Sequence, residues 1–177
     1  MIVRQIPARH DEIAAALELA LLLEVSAYPK PGNVHRIRNF ENTRFEHFLA
    51  SAAALVPHFR LAALRGSKIA GGSIHGDELM IGERIKRAVE SCSEWQHGGN
   101  TSLGAILLLI PIAYAAGMVP SRKALRSQDI RKNLRRLVRG TNKADAVNVY
   151  RAISHASAGG IGNVPELDIN DKDSLAR

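Results

Sequence analysis

The chain has 177 residues, of which 46% are hydrophobic and 23% are charged. This composition is typical of a folded domain with a sizeable core and excludes a disordered chain. The formal net charge of +7 favours anionic partners over cationic ones. Cys92 is the only cysteine, which excludes an internal disulfide and indicates a reducing compartment.

The sequence shows neither a secretory signal nor a membrane span. Charged residues interrupt the first stretch before an apolar region can form, unlike in a signal peptide. The most apolar run, Leu103–Gly117, is shorter than the roughly 20 residues that cross a bilayer, and it contains Pro111. We therefore predict a buried helix over this run and a soluble, cytoplasmic protein with no membrane partner.

Apolar residues recur with helical spacing in the first half of the chain. A helix is predicted from Asp11 to Ala27; it is apolar on nearly all sides, and we expect it to be central. A second helix follows Thr43, a predicted N-cap with Glu46 at the capping-box spacing. We expect Pro57 to kink this helix and Gly66 to end it.

The second half of the chain continues the helical pattern. Asp77 is predicted to cap a third helix, and Leu103–Gly117 forms the fourth. Amphipathic spacing predicts a fifth helix over 127–139 and a sixth over 142–156. No alternating stretch predicts a sheet. The expected fold is an all-α bundle of about six helices in a single domain, residues 1–177.

The first predicted helix carries a carboxylate among its apolar residues. Glu24 continues the stripe of Leu17 and Ala20, so its side chain is expected to turn toward the core. A buried charge is costly without a partner, and the negative end of the helix dipole adds to that cost. Lys30 or a bound metal ion would supply the positive charge; an acid paired inside the fold explains Glu24 equally well.

The loop YPKPGNVHR, residues 28–36, follows directly. Its two prolines restrict the backbone, and Gly32 permits a ligand to approach it closely. Lys30 is thereby presented on a stiff arm suited to a phosphate, with Asn33 and His35 on alternate sides. The alternative is a rigid loop that ends the helix and carries incidental polar residues.

A second glycine-rich loop, HGGNTS, precedes the apolar helix at residues 97–102. Free backbone amides at a helix N-terminus bind anions, and glycines let the ligand approach. The residues predicted to bind phosphate are Gly98, Gly99, Asn100 and Thr101. His97 begins the loop. In the alternative interpretation, Asn100 or Thr101 only caps the helix.

Two further features leave structural and functional interpretations open. Asp145 lies near the start of the sixth helix, where the dipole stabilises a carboxylate without any further role. Between Arg122 and Lys143 there are nine Lys or Arg residues and one acid, Asp129. This segment is either a solvated helix face or a surface for a phosphorylated ligand or nucleic acid. Because it has no aromatic residue for base stacking, we do not expect a nucleic acid partner.

Five segments of the chain, taken in their order, indicate a protein family. They are EVSAYPKPGNVHR, FEHFLASAAAL, HGGNTSLGAILLLIPIAYAAG, DAVNVYRAI and AGGIGNVPELD. Together, over about residues 12–170, they resemble the triphosphoribosyl-dephospho-CoA synthase family, especially its archaeal-type branch. The resemblance implies an all-helical enzyme that transfers the triphosphoribosyl group of ATP to the 2′-hydroxyl of 3′-dephospho-CoA and releases adenine. The product would be the precursor of the prosthetic group of citrate lyase or malonate decarboxylase.

The resemblance assigns residues to the motifs of the family. The first motif takes in Glu24, Lys30, Pro31, Gly32 and Asn33. The central motif takes in Gly99, Asn100, Thr101 and Gly104. The later motifs take in Asp145, Gly159, Gly160 and Gly162.

The implied reaction assigns roles to these residues. It needs an acid for the leaving base and charge neutralisation for the triphosphate, by Mg²⁺ together with Lys or Arg. Lys30 and the amides of residues 98–101 are expected to bind phosphates. Glu24 and Asp145 would hold the metal or the acceptor hydroxyl. Asn33 and Asn100 would orient the ribose or that hydroxyl, and His35 or His97 would protonate adenine.

The sequence departs from the family pattern in two respects. His35 stands close to a position where many members carry an acid. Members also continue for several helices beyond Asp168, so we expect an uncovered apolar face and hence self-association, poor activity or both. The competing prediction is a non-enzymatic protein that binds a polyanion through residues 122–143.

Overall fold

The computed structural model describes residues 8–74 and 76–157 and is helical. The helices are α1 (Arg9–Ser26), α2 (Phe45–Ala70), α3 (Ile81–Trp95), α4 (Leu103–Gly117), α5 (Ser127–Arg139) and α6 (Lys143–His155). A 3₁₀ turn, Gly76–Leu79, precedes α3. The described residues form no sheet, and their only β-type pairing is an isolated bridge between His35 and Arg38. The all-α prediction is confirmed, and the predicted bounds of α4 and α5 match.

The centre of the bundle is α2. It packs against α1, α3 and α4, and its Leu55, Phe59 and Ala62 are fully buried. By length and composition alone α2 could cross a membrane, but 39% of its most apolar window is buried inside the bundle, as in the core helix of a folded domain. The expectation that α1 is central was wrong. It packs on α2 and α4 along one side, and Leu23 on its outer side is 62% exposed.

Three predicted helix ends differ from the structure. At the start of α2 the N-cap is Arg44, whose backbone amide donates to His47 Nδ1 at 3.2 Å, so the Thr43–Glu46 prediction was wrong. At the other end, the helix continues through Gly66 to Ala70, so the predicted end was wrong. Gly66 lies against the Tyr114 backbone, where a side chain would collide, and this close approach accounts for the glycine. The third helix begins at Ile81 with Met80, not Asp77, at its N-cap.

The helix directions place two connections, 27–44 and 96–102, at one end of the bundle. At that end Ser51 of α2 contacts Thr101, just before α4, and the Cys92 thiol of α3 points to the Ser51 carbonyl. At the opposite end the Tyr114 hydroxyl donates to the Leu79 carbonyl, just before α3. We call these the loop end, with the connections 27–44 and 96–102, and the closed end, where α3 and α6 begin.

Apolar side chains remain exposed on two neighbouring helices. Leu19 of α1 is 54% exposed and Leu108 of α4 is 67% exposed, and α1 packs on α4. Self-association itself stays a prediction, which light scattering would test.

Candidate active site

The connection between α3 and α4 is folded around one buried side chain. Gln96 donates from Nε2 to the Gly99 carbonyl at 2.9 Å and accepts the Gly98 amide at Oε1 at 2.5 Å. It is 7% exposed, so both hydrogen bonds are shielded from water. Gln96 thus fixes the loop backbone. This role of Gln96 was not predicted, because no local pattern in the sequence distinguishes it from an ordinary surface glutamine.

Residues from α2 and its N-terminal connection hold the same loop from the other side. Thr43 donates to the Gly98 carbonyl at 2.6 Å, and the hydroxyls of Ser51 and Thr101 lie 2.7 Å apart. Gly98 also lies against the His47 ring, where any side chain would collide with the imidazole. Sequence reasoning missed these roles of Thr43, His47 and Ser51, since each depends on a contact between distant segments.

The start of α4 offers backbone amides that no described residue uses. Asn100 accepts the Leu103 amide at Oδ1 at 3.1 Å, so it does stabilise the start of the helix. Within 8–74 and 76–157, six other amides here have no hydrogen-bond partner: those of Gly99, Asn100, Thr101, Ser102, Gly104 and Ala105. The first turn of α4 contains no acid, so its dipole is not neutralised locally. Such a helix start favours an anion.

Gly98 and Gly99 play different parts in this loop. The Gly98 amide is held by Gln96, so its predicted availability for a phosphate is wrong. Gly99 has a φ of +76°, in the left-handed region that glycine adopts without strain, and the space beside it is open. A ligand can therefore approach the backbone at Gly99 but not at Gly98.

A cavity of about 280 Å³ lies beside these amides. Its wall combines the end of α3, the 96–102 loop, the first turns of α4 and the end of α6. His97 and His155 both lie on the wall, and the described lining includes no carboxylate. Burial raises the pKa of the Cys92 thiol, also on this wall, to about 11, so it stays protonated and is not a nucleophile.

Lys30 and Glu24 are paired, which is one of the alternatives that the sequence left open for Glu24. Their side chains form an ion pair, and Lys30 Nζ also lies 3.4 Å from the Glu24 carbonyl oxygen. The predicted burial of Glu24 is wrong, since its side chain is 58% exposed. Because α1 lies at the surface, its last turn can present Glu24 to Lys30 outside the core.

The 28–36 loop is compact but stands outside the cavity wall. Gly32 has a φ of +76°, and Asn33 donates from Nδ2 to the Pro31 carbonyl at 3.3 Å. The Thr43–Gly98 hydrogen bond joins the end of the longer connection to the 96–102 loop. Both predicted loops therefore lie at the loop end, although none of the described cavity-lining residues comes from 28–36.

His35 is buried next to Tyr28. Their ring centroids are 5.4 Å apart, and His35 is 5% exposed. Its Nδ1 has no hydrogen-bond partner among the described residues. Its backbone exchanges hydrogen bonds with Arg38 at 3.0 and 2.9 Å, which closes a tight turn. His35 thus supports the loop from inside, whereas His97 is exposed at the cavity.

Asp145 lies at the closed end. Its Oδ1 accepts the Gly82 amide at 2.9 Å and its Oδ2 accepts the Asn142 amide at 3.3 Å, and it is 6% exposed. Asp145 lies ten residues before His155 in α6, which places it about 15 Å from the loop end. The metal site predicted for Glu24 with Asp145 is therefore not formed. No group of three or more His, Cys, Asp or Glu suited to a metal occurs among the described residues.

The predicted motif residues Gly159, Gly160 and Gly162 lie outside the described residues.

Comparison with protein-family models shows which family the chain belongs to. Searches of the curated proteins and of the solved structures gave no match. The CitG family model, described as ATP:dephospho-CoA triphosphoribosyl transferase, matches residues 10–177. Because this match spans nearly the whole chain and agrees with the motif order, the chain belongs to the CitG family and is a triphosphoribosyl transferase.

Proposed function

We propose that this enzyme joins C1′ of the ribose of ATP to the 2′-hydroxyl oxygen of 3′-dephospho-CoA, or to a related acceptor hydroxyl, and releases adenine. The bond between C1′ and the adenine nitrogen breaks as the new C1′–O bond forms. The acceptor hydroxyl loses a proton and adenine gains one, while the triphosphate stays intact. Such a displacement develops positive charge at C1′, as in glycoside cleavage.

The observation that carries this proposal is the set of unpartnered amides of Gly99 to Ser102, Gly104 and Ala105 among the described residues. They lie at the start of a helix without an acid in its first turn, beside a cavity of about 280 Å³ whose described wall has no carboxylate. A triphosphate would find hydrogen-bond donors there and no opposing charge. Since Gln96 and Thr43 hold the loop in place, the donors need little rearrangement on binding.

The cavity wall also favours one proton donor over the other. His97 is exposed on that wall, within the loop that carries the amides. His35 is buried under Tyr28 and does not line the cavity. We therefore assign protonation of the leaving adenine to His97, and to His35 the support of the 28–36 loop. A general acid of this kind contributes about 10²–10⁴-fold to a rate.

Lys30 and Mg²⁺ complete the neutralisation of the phosphates in this proposal. Lys30 is held by Glu24 on the rigid loop, with its side chain 18% exposed. Asn33, exposed on the same loop, would orient the ribose or the acceptor. Because Glu24 and Asp145 do not share a site, Mg²⁺ would enter bound to the ATP phosphates. The supply of ATP and dephospho-CoA makes the cytoplasm the proposed location.

A charge introduced at Gly104 tests the anion site. Space around Gly104 is open, so a side chain fits there. In an assay of adenine release from ATP, Mg²⁺ and dephospho-CoA, we expect Gly104→Asp to raise the KM for ATP at least about tenfold over Gly104→Asn. The Asn variant has nearly the same shape and separates steric effects from charge.

Two results would contradict the proposal. If the wild-type protein forms no adenine although it is folded, the assigned reaction is wrong for this chain. If adenine forms but the Asp and Asn variants have the same KM for ATP, the triphosphate binds elsewhere. Thermal unfolding provides the control, because an acid in the first turn should stabilise α4 by about 0.3–1 kcal/mol.

A further inference from the structure

Helix α5 presents a basic face that belongs to no part of the proposed active site. It packs on α4 near the closed end, where Asn133 donates from Nδ2 to the Ala115 carbonyl at 3.0 Å. Its apolar side turns inward, and Leu137 is 1% exposed. The opposite side of the helix therefore faces solvent.

The outward side is a stripe of cations. Its members are Arg131, Lys132, Arg135, Arg136 and Arg139, and all five are exposed to solvent. Three of them recur at every fourth residue, so the stripe is about 12 Å long. Within residues 8–74 and 76–157, none of the five has a carboxylate partner. The positive charge of this stripe is therefore not neutralised by the described part of the protein.

We propose that this stripe binds the phosphate backbone of double-stranded nucleic acid. Four of its five cations are arginines, whose planar guanidinium groups bind phosphate through paired hydrogen bonds. A duplex carries one negative charge per roughly 1.7 Å of its axis, a density that a short cationic stripe can match. From the sequence, no nucleic acid partner was expected, because the segment lacks aromatic residues. Aromatic residues serve to stack the bases of a single strand, and contacts to the phosphate backbone of a duplex do not require them.

An anionic membrane fits this face less well. Surface helices that bind membranes insert an apolar face below the headgroups. The apolar residues of α5 pack against the bundle, with Val138 as the exception at 58% exposed. One valine gives little area for insertion. Contact through phosphates alone is thus the favoured mode.

Fluorescence anisotropy with a labelled duplex of mixed sequence tests the proposal across a salt series. If the stripe contacts about four phosphates, log K should fall against log salt with a slope of about −3.6. This corresponds to roughly a hundredfold weaker binding at 200 mM than at 50 mM salt. A single strand of the same length should bind more weakly.

A charge-matched pair of variants locates the binding face. The triple variant Arg131→Gln/Arg135→Gln/Arg139→Gln should bind at least about tenfold more weakly and flatten the slope by about 2.7. The control Lys68→Gln/Arg87→Gln/Arg151→Gln removes the same net charge from α2, α3 and α6 and should bind nearly as the wild type does. Circular dichroism checks the fold of each protein. If the Gln triple does not fold, two variants replace it. The triple variant with lysine at the same three positions should keep the slope of log K against log salt. Arg135→Gln alone should flatten that slope by about 0.9.

Three outcomes would overturn the proposal. The first is failure of the wild-type protein to bind duplex at 50 mM salt. The second is an equal loss of affinity in the control triple and the α5 triple, which would leave net charge as the only cause of binding. Binding to vesicles of anionic lipid without binding to duplex would assign the stripe to a membrane surface instead.

Discussion

Two helix starts in this bundle carry similar polar residues, but these residues have different roles. At the start of α6, Asn142 and Asp145 cap each other's amides, and Asp145 also accepts the Gly82 amide of α3. At the start of α4, Asn100 satisfies one amide, that of Leu103, and the neighbouring amides have no described partner. The α6 start carries its own buried acid, whereas the first turn of α4 has none.

The difference shows why one helix start only stabilises the fold, whereas the other has free backbone amides that can bind an anion. The buried Asp145 carboxylate accepts the backbone amides of Gly82 in α3 and of Asn142, the N-cap of α6. Its negative charge also balances the dipole of α6. Helix α6 is thereby fastened to α3 at the closed end. At α4 the donors and the dipole remain, and the supporting bonds come from Gln96, Thr43 and Ser51 behind the loop. An external anion can occupy the place that Asp145 takes at α6.

The largest effect is expected from removing the acid at the closed end. Asp145→Ala leaves the buried amide of Gly82 without its acceptor and should lower the free energy of unfolding by about 3 kcal/mol. Urea denaturation measures this. Adenine release per folded molecule should persist, because Asp145 lies away from the loop end. Asp129→Ala, which removes an acid from the first turn of α5, is the matched control. Equal destabilisation by both variants would break the comparison.

A smaller effect should appear at alkaline pH, again at the closed end. Burial raises the pKa of Tyr114 from 10.0 to about 12, and the Asp145 charge adds to the rise. The protonated phenol therefore stabilises the fold fully below pH 10, and this contribution is lost as pH rises toward 12. By pH 11.5 the loss should reach about 2 kcal/mol.

Denaturation at pH 9.5 and pH 11.5 isolates this contribution. The Tyr114→Phe variant should lose less stability between the two pH values than the wild type does. Tyr150→Phe, which changes a tyrosine on α6, serves as the control. If Tyr114→Phe shows the same pH dependence as the wild type, the phenol does not couple to folding.

The smallest stability effect is expected at α4. Asn100→Ala removes one cap and should lower the free energy of unfolding by about 1 kcal/mol. Asn100→Asp keeps the cap and adds an acid, so the fold should be as stable as the wild type while the KM for ATP rises. Comparison of the two variants by denaturation and by adenine release would sharpen the contrast with α6. A fold destabilised by Asn100→Asp would contradict the view that the α4 dipole lacks a counter-charge.

Local patterns were sufficient for the helices themselves. The run Leu103–Gly117 and the amphipathic segment 127–139 predicted α4 and α5 at their observed bounds. The Lys30–Glu24 pair was also predictable, because both residues lie within one short stretch of chain. Such features depend on spacing along the chain, which the sequence states directly.

Contacts between distant segments of the chain could not be predicted from local patterns. Gln96 acts through backbone that folds around it, and Gly66 is required by the Tyr114 backbone on another helix. Periodicity indicates which residues share a helix face but not what that face meets, so Glu24 and Asp145 were assigned to one site. The sequence alone determined the helices, their polar loops and the family resemblance. Only the packing of α6 on α3 decided that Asp145 fastens the closed end while the start of α4 stays open, because that outcome depends on which buried amides the fold brings to each carboxylate.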